Sequence, residues 1–185
     1  MSSVSVIEDH DQPVSAADGA RSAGRPLGPA ALLGAVRELA READTWRALA
    51  QHDPHERWFL RLAAHEDFDT WLIGWDAHQG VDLHDHGGSS GALYVVDGQL
   101  HETSGRRDGL GGLHEQLLTQ GTARAFGPNH VHRVVNSTAQ VATSLHVYSP
   151  PLVTMDFYER DDATSLTRTH TEPALGTRTG RGEIR

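Results

Sequence analysis

The sequence contains no cysteine and no lysine. Without a thiol there is no zinc ribbon, no cysteine nucleophile, no disulfide and no cysteine-derived redox centre. Without a lysine there is no Schiff-base amine and no phosphate-loop ammonium, and all 16 basic residues are arginine. Positive charge is also scarce: 16 Arg against 25 Asp and Glu leave a formal net charge of -9, which argues against a phosphate-backbone partner. No run approaches the roughly 18 apolar residues of a membrane span. The first 30 residues carry Glu8, Asp9, Asp11 and Asp18 and lack the basic start and apolar core of a secretory signal. These absences predict a cytoplasmic chain with neither a nucleic-acid nor a membrane partner; the expected state is a monomer or a weak homo-oligomer.

The chain has 185 residues, 37% of them hydrophobic, with 19 Gly, enough for one domain with its own core. Residues 1–28 mix Ser, Ala, Gly, Asp and Pro without a period and read as a flexible arm. Residues 29–171 read as the single domain, and residues 172–185, with little to bury, as a fraying tail. Over 29–51, Leu32, Leu33, Val36, Leu39, Ala40, Ala43, Trp46 and Leu49 fall near a 3.6-residue period, with Pro29 suited to a first turn. That predicts one amphipathic helix packed as a cover on the rest of the domain.

After Pro54 the pattern changes to short apolar or alternating runs at 58–62, 68–75, 92–96, 113–118, 131–135 and 141–148. Many short strands broken by Gly, Asp and Pro predict an all-β sandwich or barrel. Asp97-Gly98 reads as a two-residue hairpin turn, and residues 105–112 as a looser hairpin. The expected architecture is a helix followed by a small β-barrel.

Histidine is the abundant residue, 13 in all, and imidazole is the commonest metal ligand and proton shuttle near neutral pH. His10, His52 and His170 lie in polar stretches and read as solvated surface. His84 and His86, in Asp82-Leu83-His84-Asp85-His86 before a glycine-rich turn, project from one face of a strand and can share a metal ion. His130 and His132 share a face of another strand, from which a third ligand can come. Over 141–148, Val141, Thr143, Leu145 and Val147 form one face, and Ala142, Ser144, His146 and Tyr148 the other.

Between His84 and Asn136 the chain resembles the two cupin motifs. The first is His84-x-His86 with Gly91 at its next motif position and Gly98 at its end; the second is Gly121, Pro128, His132 and Asn136. The H-x3-N register of the second selects His132 over His130. The strings LHDHGGSSGALYVVDGQL, HRVVN and SLHVYSPPL resemble bacterial cysteine dioxygenases of type I, thiol dioxygenases of the cupin superfamily, over roughly residues 57–158. The resemblance implies a small jelly-roll cupin barrel holding Fe(II) on His84, His86 and His132. It further implies oxidation of L-cysteine by dioxygen to cysteine sulfinate, with the iron bound by sulfur and amine of the substrate. Gly91 stands where many cupins have a ligand Glu and animal cysteine dioxygenases a Cys cross-linked to Tyr, so the ligand set is three neutral histidines and no cross-link forms.

By the same resemblance Ser144, His146 and Tyr148 form the catalytic relay, with Tyr148 beside sulfur and dioxygen. An arginine before the iron-binding region takes the substrate carboxylate, since a planar guanidinium pairs with it bidentately. Arg57 and Arg61 are the two candidates, Arg61 favoured by the aromatic-x-Arg pattern of Phe59-Leu60-Arg61. The family also points to a cis peptide at Ser149-Pro150. Trp71 and Trp75 read as core, and Phe157 and Tyr158 as lining the pocket mouth. The rival readings are a dioxygenase of 3-mercaptopropionate or another small thiol, and a non-catalytic metal-binding cupin or sensor in which zinc or manganese takes the histidines.

Overall fold

The computed structural model describes residues 25–161 and 165–174. Eleven strands are laid out in two sheets, behind a helical lead. The first sheet contains β1 (Phe59–Ala64), β2 (Asp69–Trp75), β9 (Ala142–Ser149), β4 (Ser90–Asp97) and β7 (Ala123–Phe126), hydrogen-bonded in that order. The second contains β11 (Leu166–Pro173), β10 (Thr154–Arg160), β3 (Gly80–His84), β8 (His130–Val135), β5 (Gln99–Arg106) and β6 (His114–Thr119). Every pair in the two sheets is antiparallel. The fold is the expected jelly-roll cupin, built as two packed sheets rather than as a closed barrel. Among the described residues no helix is long and apolar enough to cross a membrane.

The expected single helix is divided into α1 (Pro29–Arg41), α2 (Ala43–Trp46) and a 3-10 turn at Arg47–Leu49. Glu42, at ψ 53°, leaves helical geometry, and the indole N–H of Trp46 donates to the Leu39 carbonyl, which also accepts from the Glu42 N–H. The helical lead covers the first sheet as its periodicity predicts. Leu32, Val36 and Trp46 pack against Leu72, Ala92, Leu145 and Val147 on the sheet's outer face. Leu145 is fully buried there, so Leu145→Ala is expected to cost about 2–5 kcal/mol of stability, measured by denaturant unfolding.

Alternation along β9 splits as its sequence predicts: Leu145 and Val147 lie under the helix, while Tyr148 belongs to the cluster between the sheets with Trp71, Ile73, Trp75, Leu93 and Phe126. Trp71 and Trp75 are core residues, as expected. The loop at 105–112 joins the paired strands β5 and β6. Asp97-Gly98 does not close a hairpin. It connects β4 of the first sheet to β5 of the second, with Gly98 at φ +72° and so close to β9 that a Cβ would lie 2.6 Å from the Val141 carbonyl.

Residues 1–24 and 175–185, which hold most of the expected arm and tail, lie outside the described residues, as does His10. The start of that tail is ordered: Glu172 and Pro173 finish β11, and Ala174 is buried with its N–H bonded to Val153. His52, expected in solvent, is half-buried, with Nε2 at 3.1 Å from both the Ala142 carbonyl and Thr143 Oγ1.

Candidate metal centre

His84 is the last residue of β3, and His86 follows just beyond the strand's end rather than within it. His132 lies on β8, directly opposite His84 in the strand pairing. One ring nitrogen from each of the three lies within 4.8 Å of the others, and all three side chains are buried. His84 Nδ1 is 2.7 Å from the Asp82 carbonyl and His132 Nδ1 is 2.8 Å from Glu102 Oε1. Both acceptors are oxygens, so both Nδ1 atoms carry the proton and donate, which leaves each Nε2 with a free lone pair. His86 has no hydrogen-bond partner on either nitrogen despite its burial; its ring packs against Phe126, 4.8 Å away, and Tyr148, 5.1 Å away. A buried imidazole with both nitrogens orphaned costs free energy unless something coordinates it. Burial first, then the neighbouring histidines, pushes His84 and His86 well below the ordinary histidine range, so both stand as neutral donors. The donor set therefore fits a metal ion that accepts three imidazoles.

The segment carrying two of these donors is clamped from behind by Asp85, which no sequence motif singles out. Its buried carboxylate accepts from Tyr158 Oη at 2.9 Å, the Arg107 guanidinium at 3.1 Å and the backbone N–H groups of Gly87 and Asp156. An acid flanked by two candidate ligands is the available signal. Asn136, the last residue of the second motif, ties the turn after β8 to the end of β2, its amide donating to the carbonyls of Trp75, Asp76 and Gln140.

Gly91 is more than a missing ligand. It pairs with Phe126 on one side and Tyr148 on the other, and a Cβ there would meet the Phe126 ring at 2.4 Å. The aromatic ring fills the space that a thiol or carboxylate at this position would need. His130 does not join the three histidines. It stacks on Phe126 at 4.4 Å, with Nε2 at 3.5 Å from Glu102.

Ser144, His146 and Tyr148 are joined in a chain: Ser144 Oγ to His146 Nε2 at 2.8 Å, and His146 Nδ1 to Tyr148 Oη at 3.1 Å. Trp75 extends it, its indole N–H donating to Ser144 Oγ at 2.9 Å. Ser144 accepts from Trp75 and keeps its own hydrogen and a second lone pair; in the tautomer where that hydrogen goes to His146 Nε2, His146 donates through Nδ1 and the Tyr148 hydrogen is free to point away from the chain. Burial above all, then the neighbouring His132 and the Arg57 guanidinium, holds His146 down at about 3, so it stays neutral. Burial and then Asp69 raise Tyr148, with Arg57 opposing, and the phenol stays protonated.

His146 takes a proton near 6.5 when exposed but only near 3 in the fold, so below about 6.5 the unfolded chain binds more protons than the native one. The metal-free protein is expected to lose stability progressively as pH falls from about 6.5 towards 3, read as falling thermal midpoints across that window.

A small cavity of about 40 Å³ brings Arg57, His84, His132, His146 and Tyr148 together under walls of Trp71, Ile73, Leu152 and Met155. Arg57, just ahead of β1, is the arginine of this cavity. Arg61, the favoured candidate of the pair, is exposed on the same face as Trp71, with its guanidinium 5.5 Å from the Trp71 ring centre, and does not itself line the cavity. The Arg57 guanidinium lies 5.2 Å from the Trp75 ring centre, its Nε has no hydrogen-bond partner, and burial lowers it to about 10, still cationic at neutral pH. Arg57 and Val81 also line a larger outer cleft of about 730 Å³, whose walls include Phe157 and Tyr158. The Ser149-Pro150 peptide is cis.

Two solved structures give context. TT1209 from Thermus thermophilus is 25% identical, over 57% of this chain and 93% of its own, with a TM-score of 0.50. An RmlC-like cupin protein from Desulfovibrio desulfuricans is 15% identical over 56% and 91%, with a TM-score of 0.47. The family model for cysteine dioxygenase type I matches residues 31–161, a span containing the three histidines, the relay and Arg57. This chain belongs to the cysteine dioxygenase type I family and is a thiol dioxygenase of the cupin superfamily with a histidine-rich candidate metal site.

Proposed function

We propose that the protein uses Fe(II) on His84, His86 and His132 to oxidise L-cysteine with dioxygen to cysteine sulfinate, acting in the cytoplasm on a free small thiol. The observation that carries this reading is one cavity holding two of the three histidines, an unpaired arginine and a tyrosine. A three-imidazole iron centre keeps its full positive charge, favours a thiolate and dioxygen together, and supplies the redox chemistry that places both oxygen atoms on sulfur.

The protein's own groups do the rest. Arg57 binds the carboxylate and fixes the orientation of the substrate; among the described residues no acid forms an ion pair with it, so the substrate is its counter-charge. Tyr148 offers its hydroxyl hydrogen into the cavity, where it stabilises negative charge developing near the sulfur. His146, Ser144 and Trp75 hold that hydrogen in its direction. The cavity's size restricts it to a short thiol, and its apolar walls keep water from the reacting groups.

A specific observation favours 3-mercaptopropionate as the second substrate to try: no Asp or Glu lines the cavity, so an ammonium group has no carboxylate to meet there. The test is oxygen uptake and sulfinate formation by Fe(II)-reconstituted protein, with L-cysteine and 3-mercaptopropionate side by side. Cysteine turnover with matching sulfinate supports the proposal, and preference for 3-mercaptopropionate moves the substrate while keeping the site. Bound iron without uptake from either thiol overturns the catalytic reading in favour of a metal-binding cupin.

A further inference from the structure

Behind the three histidines lies a second polar cluster. Glu102, on β5, is 1% exposed. Its Oε1 is 2.8 Å from His132 Nδ1 and 3.5 Å from His130 Nε2, and its Oε2 is 3.4 Å from the Arg124 guanidinium, which also bonds Gln116. Ligand-type atoms of Glu102, His130 and His132 lie within 4.8 Å of one another, the spacing of a second cation site. Two features argue against a second ion. Arg124 already sets a positive charge on the carboxylate, and the His132 nitrogen facing Glu102 carries a proton.

We propose that Glu102 is a positioning residue for the metal centre, supplying through His132 the negative charge that the ligand set lacks at Gly91. The proposal rests on the three-histidine site taking a metal. At position 91 there is no side chain and the Phe126 ring fills the space, so no carboxylate reaches the ion directly. A carboxylate accepting from the distal N–H of a ligand imidazole fixes its tautomer and ring orientation and strengthens the donor nitrogen. Glu102 thereby makes His132 the most electron-rich of the three ligands, since His84 donates only to a neutral carbonyl and His86 to nothing. Arg124 moderates the effect by sharing the carboxylate.

The test uses the full chain. Zinc(II) affinity is measured by competition with a chromophoric chelator, and the Fe(III)/Fe(II) midpoint potential on the iron-loaded protein. Glu102→Gln keeps an oxygen for the His132 N–H and removes the charge: zinc affinity is expected to fall about 10- to 100-fold and the potential to rise. Arg124→Gln leaves Glu102 and its bond to His132 in place while removing the counter-charge, so the potential is expected to fall and zinc affinity to hold or increase. A purely structural carboxylate would not move the potential in opposite directions in the two variants. Affinity within about threefold of wild type and an unmoved potential in Glu102→Gln overturn the proposal. If that variant does not fold, an unmoved potential in Arg124→Gln overturns it instead. Wild-type protein that takes up no zinc removes the metal reading underneath, a failure seen before any variant is compared.

Discussion

Replacing His132 with alanine is expected to abolish metal uptake and thiol oxidation together, whereas His130→Ala keeps both. The two residues sit on the same face of β8 two positions apart, so composition and alternation do not separate them. Geometry does. His132 faces His84 across the strand pair and brings its free nitrogen within 4.8 Å of theirs. His130 lies against Phe126, farther along the strand, beside a hollow walled by Arg106, His114 and Arg124. Removing one of three ligands leaves a site that no longer surrounds an ion, and it also leaves the Glu102 carboxylate buried without its N–H partner. Metal content by elemental analysis and oxygen uptake with L-cysteine read the two variants in parallel. Loss of metal in His130→Ala with retention in His132→Ala would reassign the third ligand.

That distinction is legible in the sequence only through the second motif, in which the interval from His132 to Asn136 sets the register. The structure gives the interval a physical basis: Asn136 has to reach the end of β2, and its amide contacts to the Trp75 and Asp76 carbonyls there, with a third to Gln140, fix where β8 ends. The relay is equally legible, because alternation along β9 puts Ser144, His146 and Tyr148 on one face whatever the surroundings. Other features depend on long-range pairing that local pattern does not encode. Asp97-Gly98 carries a hairpin signal because Gly98 needs a positive φ, and a crossing between sheets needs the same conformation. Strand β11 is exposed along almost its whole length, so it shows no apolar alternation and its end reads as fraying tail. Glu102 and Trp75 look like an ordinary strand acid and an ordinary core aromatic, and their partners lie 30 and 69 residues away in sequence. Arg57 and Arg61 differ for a local reason: Arg57 precedes β1, so alternation along the strand does not place its side chain, whereas Arg61 falls opposite Trp71 as alternation gives and stays exposed on an edge strand.

Arg57→Gln is expected to lower kcat/KM for L-cysteine by roughly 30- to 3,000-fold, the equivalent of about 2–5 kcal/mol for truncating one side of a buried charge pair. Arg61→Gln is expected to lower it far less, because Arg61 is exposed, lies over the Trp71 ring and does not line the cavity. Glutamine keeps a polar group at position 57 but neither the charge nor the forked donors that match a carboxylate. The Arg57 guanidinium also lies over the Trp75 ring, whose N–H anchors the relay, so a fall in rate by itself would not separate carboxylate binding from support of Tyr148. A thiol without a carboxylate makes the separation. With 2-aminoethanethiol, wild type and Arg57→Gln should turn over at similar rates if Arg57 acts by binding carboxylate, and the preference for L-cysteine over this thiol should collapse in the variant. Steady-state oxygen consumption with both thiols at several concentrations gives the comparison. An equal loss with both substrates would place the contribution of Arg57 in the relay, and a large loss confined to Arg61→Gln would mean that the exposed arginine over Trp71, not the one in the cavity, meets the substrate.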